Sequence, residues 1–207
     1  VEKSFLSSRP IHMIYNWIDT SKFKEIHDEA VYENYGIDPN KKVVISVSAM
    51  WDHRTTRLRD ALALSKILPE DYQLVLIGKN MTDGSFPKNV VHIDYVNGVQ
   101  ELSKLYSIAN VFAGFSVEDT FGKVIAEAML CGTPVVVFDS TACPEVASEV
   151  GYAVKPHDVE AMMEKILEIE RNGRDYYSER GKELVKTRYG YEENVGKYID
   201  IYSRIMQ

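Results

Sequence analysis

The sequence predicts an α/β fold: a doubly wound, Rossmann-like parallel sheet of about six strands with helices on both faces and C-terminal helices extending from it. Two observations lead to this prediction. Apolar, β-branched runs recur along the chain with helical stretches between them, which is typical of strand–helix alternation. These runs are continuous rather than alternating, as expected of parallel strands that are buried on both faces.

The order of the elements follows from the apolar runs and the breaks between them. The predicted strands are Val43–Ser48, Gln73–Ile77, Val90–Ile93, Val111–Phe115, Pro134–Phe138 and Gly151–Val154. The predicted helices are Leu58–Ile67, Val99–Ala109, Phe121–Leu130, a short Glu145–Ser148, Val159–Arg171, Arg174–Tyr189 and Glu192–Met206. Connections in such sheets are right-handed, and ligands bind beyond the carboxyl ends of the strands. Candidate site residues are therefore sought at that edge.

The composition is that of an ordinary globular domain and argues against several other classes. The chain has 207 residues, of which 45% are hydrophobic and 27% are charged. Its formal net charge of −7 argues against a general nucleic-acid binder. No apolar run approaches the roughly 20 residues that cross a bilayer, and the start VEKSFLSSRP does not read as a signal peptide. We expect a cytoplasmic protein.

Metal and nucleotide fingerprints are missing from the sequence. The five histidines show no metal-ligand spacing and the two cysteines, Cys131 and Cys143, stand apart, so we predict no metal site and no cofactor. No G-x-G-x-x-G follows the first predicted strand, and no G-x-x-x-x-G-K-[ST] occurs. Any phosphate site must therefore use other residues.

The segment from Ser116 to Asp139 is the most informative part of the sequence. It reads as a strand end, a turn with two acids, an apolar helix and a second apolar strand. A helix that is apolar all round is normally buried, and a buried carboxylate needs a hydrogen-bonding partner. Glu127 is such a carboxylate, and a ligand rich in hydroxyls would serve it. The alternatives are a position at a solvent edge or an ion pair with Lys123, one turn away.

The turn of Glu118, Asp119 and Thr120 opens this helix. Thr120 or Asp119 is a suitable N-cap, and capping alone is one interpretation of the pair. A helix N-terminus at the carboxyl end of a strand also offers free N–H groups to an anion, and Gly122 lets a phosphate approach the backbone. The second interpretation places a diphosphate at the helix start, with one acid beside it and Glu127 deeper along the helix.

Loops after the first three predicted strands lie at the same edge. Arg54, Arg57 and Arg59 follow the first strand, where guanidinium groups suit phosphate oxygens, although arginines at a helix start are often only solvated. Residues that could hold a base after the second and third strands are Gly78, Lys79, Asn80, Ile93, Asp94 and Tyr95.

Several segments together resemble one known family. DTFGKVIAE, followed by AMLCGTPVV, looks like the Glu-x₇-Glu segment of retaining, nucleotide-sugar-dependent glycosyltransferases of the GT-B fold, the group 1 family. YNWID with Phe23 resembles that family's entry into its C-terminal domain, and ELSKLY followed by ANVF is similar to a further segment. Cys143-Pro144-Glu145 and Gly151-Tyr152 fit later positions.

The resemblance implies the donor-binding half of a hexosyltransferase that uses a UDP- or GDP-sugar. A glycan or lipid-linked acceptor would be held by a missing N-terminal domain. Carried over residue by residue, Asp119 would touch the donor sugar and Glu127 would hold the ribose hydroxyls. Backbone amides of Phe121, Gly122 and Lys123 would hold the diphosphate. Catalysis would be largely electrostatic, because arginine and helix-start amides stabilise the departing diphosphate.

The chain departs from the family's pattern at five places. A Thr replaces the usual Lys of the family's Lys-Gly after the first strand. Asp119 replaces the first Glu, Thr120 replaces a usual Gly, Ser48-Ala49 replaces a common Gly-Arg, and Thr141-Ala142 stands where the family often has Gly-Gly. Arg54 or Arg57 would replace the missing basic residues, and spacing favours Arg54. The predicted catalytic residues are Asp119 and Arg54. The predicted donor-binding residues are Glu127, Phe121, Gly122, Lys123, Thr120, Glu118, Arg57, Gly78, Ile93, Asp94 and Tyr95.

The chain is predicted to have three parts. Residues 1–20 form a linker, residues 21–190 the nucleotide-sugar-binding domain, and residues 191–207 a helix that packs back toward the missing N-terminal domain. Such a half is expected to be inactive alone, and the missing half could associate it with a membrane. Two other functions stay open: a degenerate GT-B domain that acts as a non-catalytic interaction module, and an epimerase-type or phosphorylase-type GT-B enzyme.

Overall fold

The structure is a computed structural model that describes residues 3–5, 7–82 and 84–206. Within these residues, six strands form one parallel sheet in the order β3-β2-β1-β4-β5-β6. The strands are β1 Lys42–Trp51, β2 Tyr72–Asn80, β3 Val90–Ile93, β4 Val111–Gly114, β5 Val135–Phe138 and β6 Tyr152–Val154. The predicted class, a doubly wound Rossmann-like α/β fold, is confirmed.

Helices cover both faces of the sheet. They are α1 Ala30–Tyr35, α2 Thr56–Ile67, α3 Val99–Ile108, α4 Lys123–Leu130, α5 Cys143–Ala147, α6 Val159–Asn172, α7 Arg174–Tyr189 and α8 Tyr191–Ile205. The chain runs outward from β1 to β3 and then restarts on the other side of β1 with β4. The strand order therefore reverses between β1 and β4, which is where open α/β sheets bind their ligands.

Two hydrophobic cores lie on opposite faces of the sheet. Ile45 of β1 belongs to the core under α3, α4 and α7, whereas its neighbour Val44 belongs to the core under α2 and α6. Both side chains are fully buried, because successive strand residues point to opposite faces and both faces are covered. This arrangement explains why the strands read as continuous apolar runs.

Two features near the start of the sheet were not predicted. The six-residue helix α1 is too short to show a helical period, and it ends at Gly36 in the left-handed conformation with φ +66°. Strand β1 extends to Trp51, whose indole N–H donates to the Ile77 carbonyl at 3.0 Å. That buried contact lengthens the pairing of β1 with β2 beyond the apolar runs.

The predicted boundaries of two helices near the carboxyl edge were wrong. Helix α4 begins at Lys123 instead of Phe121, because Gly122 adopts φ +80° and left-handed backbone cannot continue a helix. Helix α5 begins at Cys143 instead of Glu145, with Pro144 in its first turn, where proline is tolerated. A 3₁₀ turn at Ser148–Val150 follows it.

The segment before α1 contacts the C-terminal end of α7. The Ile18 N–H donates to the Tyr189 carbonyl at 2.8 Å, and Ile18 bridges Gly190. In α8 the buried residue is Asn194, whose amide nitrogen donates to the carbonyls of Arg188 and Gly190. None of the described helices is long and apolar enough to cross a membrane. The division at residues 20 and 190 stays a prediction.

Candidate functional site

A pocket of about 150 Å³ opens at the carboxyl ends of β1 and β4, where the strand order reverses. Its walls include the strand ends, the first turn of α2, the turn before α4 and the start of α5. Polar and small residues on these walls are Ser48, Ala49, Arg57, Ser116, Asp119 and Cys143. Pockets that enclose a whole ligand measure about 300–1,000 Å³, so this one suits a part of a ligand, such as a phosphate group.

Arg57 directs its guanidinium group into this pocket. Nη1 donates to Ser48 Oγ at 2.7 Å, and Nη2 donates to Ser116 Oγ at 3.3 Å. Both partners are neutral hydroxyls, and no carboxylate of the described residues lies within ion-pair distance of this side chain. The guanidinium group is thus held in place without an ion pair among the described residues, which favours an anion with planar or tetrahedral oxygens.

Arg54 lies elsewhere and is already paired. Its Nε donates to both carboxylate oxygens of Asp52 at 3.0 Å, and its Nη2 donates to Oδ2 at 2.6 Å. Hydrogen bonds from Arg54 lower the pKa of Asp52 to about 2. The Arg54 side chain is 73% exposed and does not line the pocket. The structure therefore brings Arg57, and not Arg54, to the switch point.

The four backbone amides from residue 121 to residue 124, at the start of α4, fall into two pairs. Asp119 Oδ1 accepts hydrogen bonds from the N–H of Gly122 at 2.8 Å and of Phe121 at 3.3 Å. The following amides, those of Lys123 and Val124, have no acceptor among the described residues. The Asp119 carboxylate thus accepts from the two amides that precede α4, and the amides left open to an anion begin at Lys123. Val124 and Asp119 both line the pocket.

Hydrogen bonds with the loop after β5 hold the turn before α4 in place. Thr141 Oγ1 accepts a hydrogen bond from the Asp119 N–H at 3.1 Å, and the Ala142 N–H donates to the Asp119 carbonyl at 3.4 Å. Ser140 Oγ donates to the Val117 carbonyl at 2.8 Å. Sequence reasoning noticed Thr141 only as a departure from a family pattern. Its role here depends on a tertiary contact that no local pattern signals.

Glu118 and Thr120 lie at the rim of the site. Both are exposed, and Thr120 lines a neighbouring pocket of about 250 Å³ together with Tyr15 and Glu145. Phe121 is buried, with its ring against that of Tyr189 at 5.2 Å between centroids. Phe121 therefore anchors the turn through its side chain.

Glu127 is half-buried on the second turn of α4. Burial raises the pKa of this carboxyl group, while a hydrogen bond from Tyr106 and the charge of Lys123 partly offset that effect. The Tyr106 hydroxyl donates to Glu127 Oε2 at 3.4 Å, which is long for a hydrogen bond. Among the described residues no ion pair joins Glu127 to Lys123. The carboxylate therefore keeps capacity for further hydrogen-bond donors.

Of the residues predicted to hold a base, Gly78 lies within β2 and Ile93 ends β3, whereas Asp94 and Tyr95 follow β3. None of these four residues lines the Arg57 pocket. Gly78 has φ +132°, and a Cβ there would lie 1.9 Å from the Ser48 carbonyl oxygen, so the close approach of β1 requires glycine. Asp94 accepts a hydrogen bond from the Asn80 N–H at 2.7 Å. Ile93, which precedes Asp94, is buried, and Tyr95, which follows it, is 78% exposed.

Among the described residues, no group of three or more histidine, cysteine or acidic side chains is arranged to hold a metal ion. Cys131 and Cys143 are buried free thiols. Burial, together with the nearby Asp119 charge, raises the pKa of Cys143 to about 11.

Comparison with known proteins assigns the chain to a family. The sequence pattern of the group described as "Glycosyl transferases group 1" matches residues 41–172. The chain belongs to this family. The matched range contains Arg57, the Asp119 turn, Thr141 and Glu127, and so covers the whole candidate site.

Three similar proteins illustrate the relationship. The N-acetyl-alpha-D-glucosaminyl L-malate synthase of Bacillus anthracis is 24% identical over 97% of this chain and 55% of its own length. The O-antigen chain mannosyltransferase B of Escherichia coli is 34% identical over 55% of this chain and 29% of its own. The structure of Anabaena HepE in complex with UDP-glucose matches with a TM-score of 0.74 at 17% identity, over 92% of this chain and 57% of HepE.

This chain therefore spans about half the length, or less, of the curated relatives named here. The structural likeness concerns the fold, which is the GT-B type of α/β domain. The prediction of a group 1 glycosyltransferase domain is confirmed.

Proposed function

We propose that this chain is the nucleotide-sugar donor-binding half of a retaining glycosyltransferase. The enzyme would transfer a hexose from a UDP- or GDP-sugar to a glycan or lipid-linked acceptor held by another domain. The observation that carries the proposal is the guanidinium group of Arg57, which is held by two hydroxyl groups and lines a pocket at the switch point of the sheet. A solved neighbour that holds UDP-glucose and an O-antigen mannosyltransferase relative support the choice of substrates.

The donor diphosphate would lie between Arg57 and the start of α4. The open amides of Lys123 and Val124 point outward from the helix N-terminus, where the helix dipole also favours negative charge. Arg57 lines the same pocket as Val124 and would add a fork of donors. When the glycosidic bond breaks, its electron pair passes to the diphosphate, and these groups stabilise the charge that develops there.

Asp119 and Glu127 would bind the two ends of the donor. Asp119 lies beside the open amides and lines the pocket, which suits contact with the sugar. Glu127 lies further along α4, half-buried and short of donors, which suits the two ribose hydroxyls. The positive charge proposed to meet the diphosphate is that of Arg57, together with the open amides at the start of α4.

Arg57 takes the phosphate role that spacing alone assigned to Arg54. Arg54 forms a bidentate pair with Asp52, and breaking that pair would cost the interaction that keeps the Asp52 carboxylate charged and buried. Arg57 loses only two hydrogen bonds to neutral hydroxyls when it turns to a phosphate. Exchanging its present partners for a phosphate would therefore cost Arg57 less than it would cost Arg54.

Calorimetric titration of the chain with UDP and GDP tests the proposal. A charge-assisted hydrogen bond contributes about 1.5–3 kcal/mol, so Arg57→Ala should weaken binding of the preferred nucleotide about 10- to 150-fold. Arg54→Ala is the matched control, because it removes an equal charge at the same edge, and it should bind within about threefold of wild type. If Arg54→Ala lost binding and Arg57→Ala kept it, the assignment would be refuted. Silence of the wild-type chain with both nucleotides would favour an interaction module.

A further inference from the structure

The loop after β5 carries an unusual residue where it contacts the turn of Glu118, Asp119 and Thr120, here called the acid turn. Thr141 has φ +51°, in the left-handed region that β-branched residues strongly avoid. Glycine would adopt this conformation without steric cost. Strained residues of this kind persist where the surroundings demand them, and they cluster at functional sites. The Thr141 side chain forms two hydrogen bonds that glycine could not form.

The Thr141 hydroxyl group is both a hydrogen-bond donor and a hydrogen-bond acceptor. It donates to the Ser140 carbonyl at 2.9 Å, and its oxygen accepts the hydrogen bond from the Asp119 N–H at 3.1 Å. The first bond orients the hydroxyl so that a lone pair points at the acid turn. Thr141 does not itself line the Arg57 pocket, so any effect on a ligand must pass through Asp119.

The position of the Asp119 turn decides which amides are free. Its carboxylate covers the N–H groups of Phe121 and Gly122, and the amides of Lys123 and Val124 remain without an acceptor among the described residues. A turn released from Thr141 would let the carboxylate move along the helix start, where it would compete with an incoming anion for the same donors. Holding the turn therefore keeps the anion site open.

We propose that Thr141 is a positioning residue for the donor diphosphate, an inference that rests on the proposed function. Its hydroxyl group fixes the backbone of Asp119, and the acid turn in turn presents the Lys123 and Val124 amides opposite Arg57. The strained backbone at Thr141 is the cost of placing a hydroxyl group at that point. Affinity for the diphosphate should then depend on whether residue 141 carries a hydroxyl group. Stability should depend on whether residue 141 adopts a positive φ without strain.

Three substitutions separate these two effects. Thr141→Val removes the hydroxyl and keeps the β-branched strain, Thr141→Gly removes both, and Thr141→Ser keeps the hydroxyl. Thermal unfolding of each variant measures stability, and calorimetry with UDP and with inorganic pyrophosphate measures binding. We expect Thr141→Gly to unfold several degrees above Thr141→Val. Both should bind the two probes about 3- to 10-fold more weakly than wild type, and Thr141→Ser should bind within about twofold.

The outcomes distinguish the inference from the function on which it rests. If both hydroxyl-free variants bind like wild type, or if affinity simply follows the unfolding temperature, Thr141 is a structural residue and the inference is overturned. Arg57→Ala is titrated in the same series. Weaker binding by Arg57→Ala alone retains the proposed site without the role of Thr141, whereas no binding by the wild-type chain overturns both.

Discussion

Replacing Glu127 by glutamine separates the stability of this domain from its function. Burial raises the pKa of the Glu127 carboxyl group, and the Tyr106 hydroxyl supplies only one long hydrogen bond of 3.4 Å. Because the folded pKa lies above the unfolded one, ionisation destabilises the folded state. This penalty is absent below the unfolded pKa, grows as the pH rises, and is complete above the folded pKa. Glutamine cannot ionise, and its side-chain oxygen can still accept from Tyr106.

The size of the effect is set by the cost of burying a charged group that has few hydrogen-bond partners. For this half-buried carboxylate we expect Glu127→Gln to raise the free energy of unfolding by about 1 kcal/mol at pH 7.5. In a domain of this size that gain shifts the midpoint of thermal unfolding upward by about 2–4 °C. At pH 4 the two proteins should be nearly equal in stability.

Urea unfolding between pH 4 and pH 8 measures this difference directly. The control is Glu164→Gln, which removes an exposed carboxylate from α6 and should change stability by less than about 0.5 kcal/mol. Calorimetry with UDP or GDP should show at least about tenfold weaker binding by Glu127→Gln, because a charged acceptor of two ribose hydroxyls is lost. A variant that is less stable than wild type at pH 7.5, or a difference that does not depend on pH, would refute the reasoning.

Two further expectations concern the scaffold and the activity of the chain alone. Gly78→Ala should lower the free energy of unfolding by about 3 kcal/mol or more, because its Cβ would lie 1.9 Å from the Ser48 carbonyl oxygen. Gly36→Ala, at φ +66° with no atom within 4 Å of the added Cβ, should cost only about 1 kcal/mol; equal losses in urea unfolding would contradict this account. The chain alone should bind a donor without transferring its sugar, since its relatives are about twice as long or longer; turnover in a transfer assay would contradict the half-enzyme proposal.

The sheet was predictable from the sequence because its signals are local. Runs such as Val111–Phe115 and Pro134–Phe138 are apolar and β-branched over a strand length, and a strand buried on both faces leaves that trace. The general rule that ligands bind beyond the carboxyl ends of parallel strands then brought the acid turn and the arginines to one edge. These steps need no knowledge of side-chain packing.

The choice between the two arginines could not be made in the same way. Arg54 precedes α2 and turns back to Asp52, two residues earlier, whereas Arg57 lies in the first turn of α2 and faces the pocket. Spacing along the chain does not reveal which side of a helix start faces the sheet. The nearby Asp52 is a signal that could have been weighed, because an acid and an arginine two residues apart in a loop can pair.

The amides of the acid turn show a second limit of sequence reasoning. Gly122 was interpreted as room for a phosphate, which stays a prediction; the structure shows that it adopts φ +80° and that α4 begins at Lys123 and not at Phe121. Asp119 then covers the amides of Phe121 and Gly122. Whether a glycine supplies space or a left-handed turn depends on the path of the chain on either side, which sequence spacing does not report.

A crystal structure of the chain soaked with UDP would test the central claim most directly. The account predicts diphosphate oxygens within hydrogen-bond distance of the Arg57 guanidinium group and of the Lys123 and Val124 amides, with Glu127 on the ribose hydroxyls. Asp119 should still cap the amides of Phe121 and Gly122. A diphosphate bound at Arg54, with Arg57 still on Ser48 and Ser116, would contradict it.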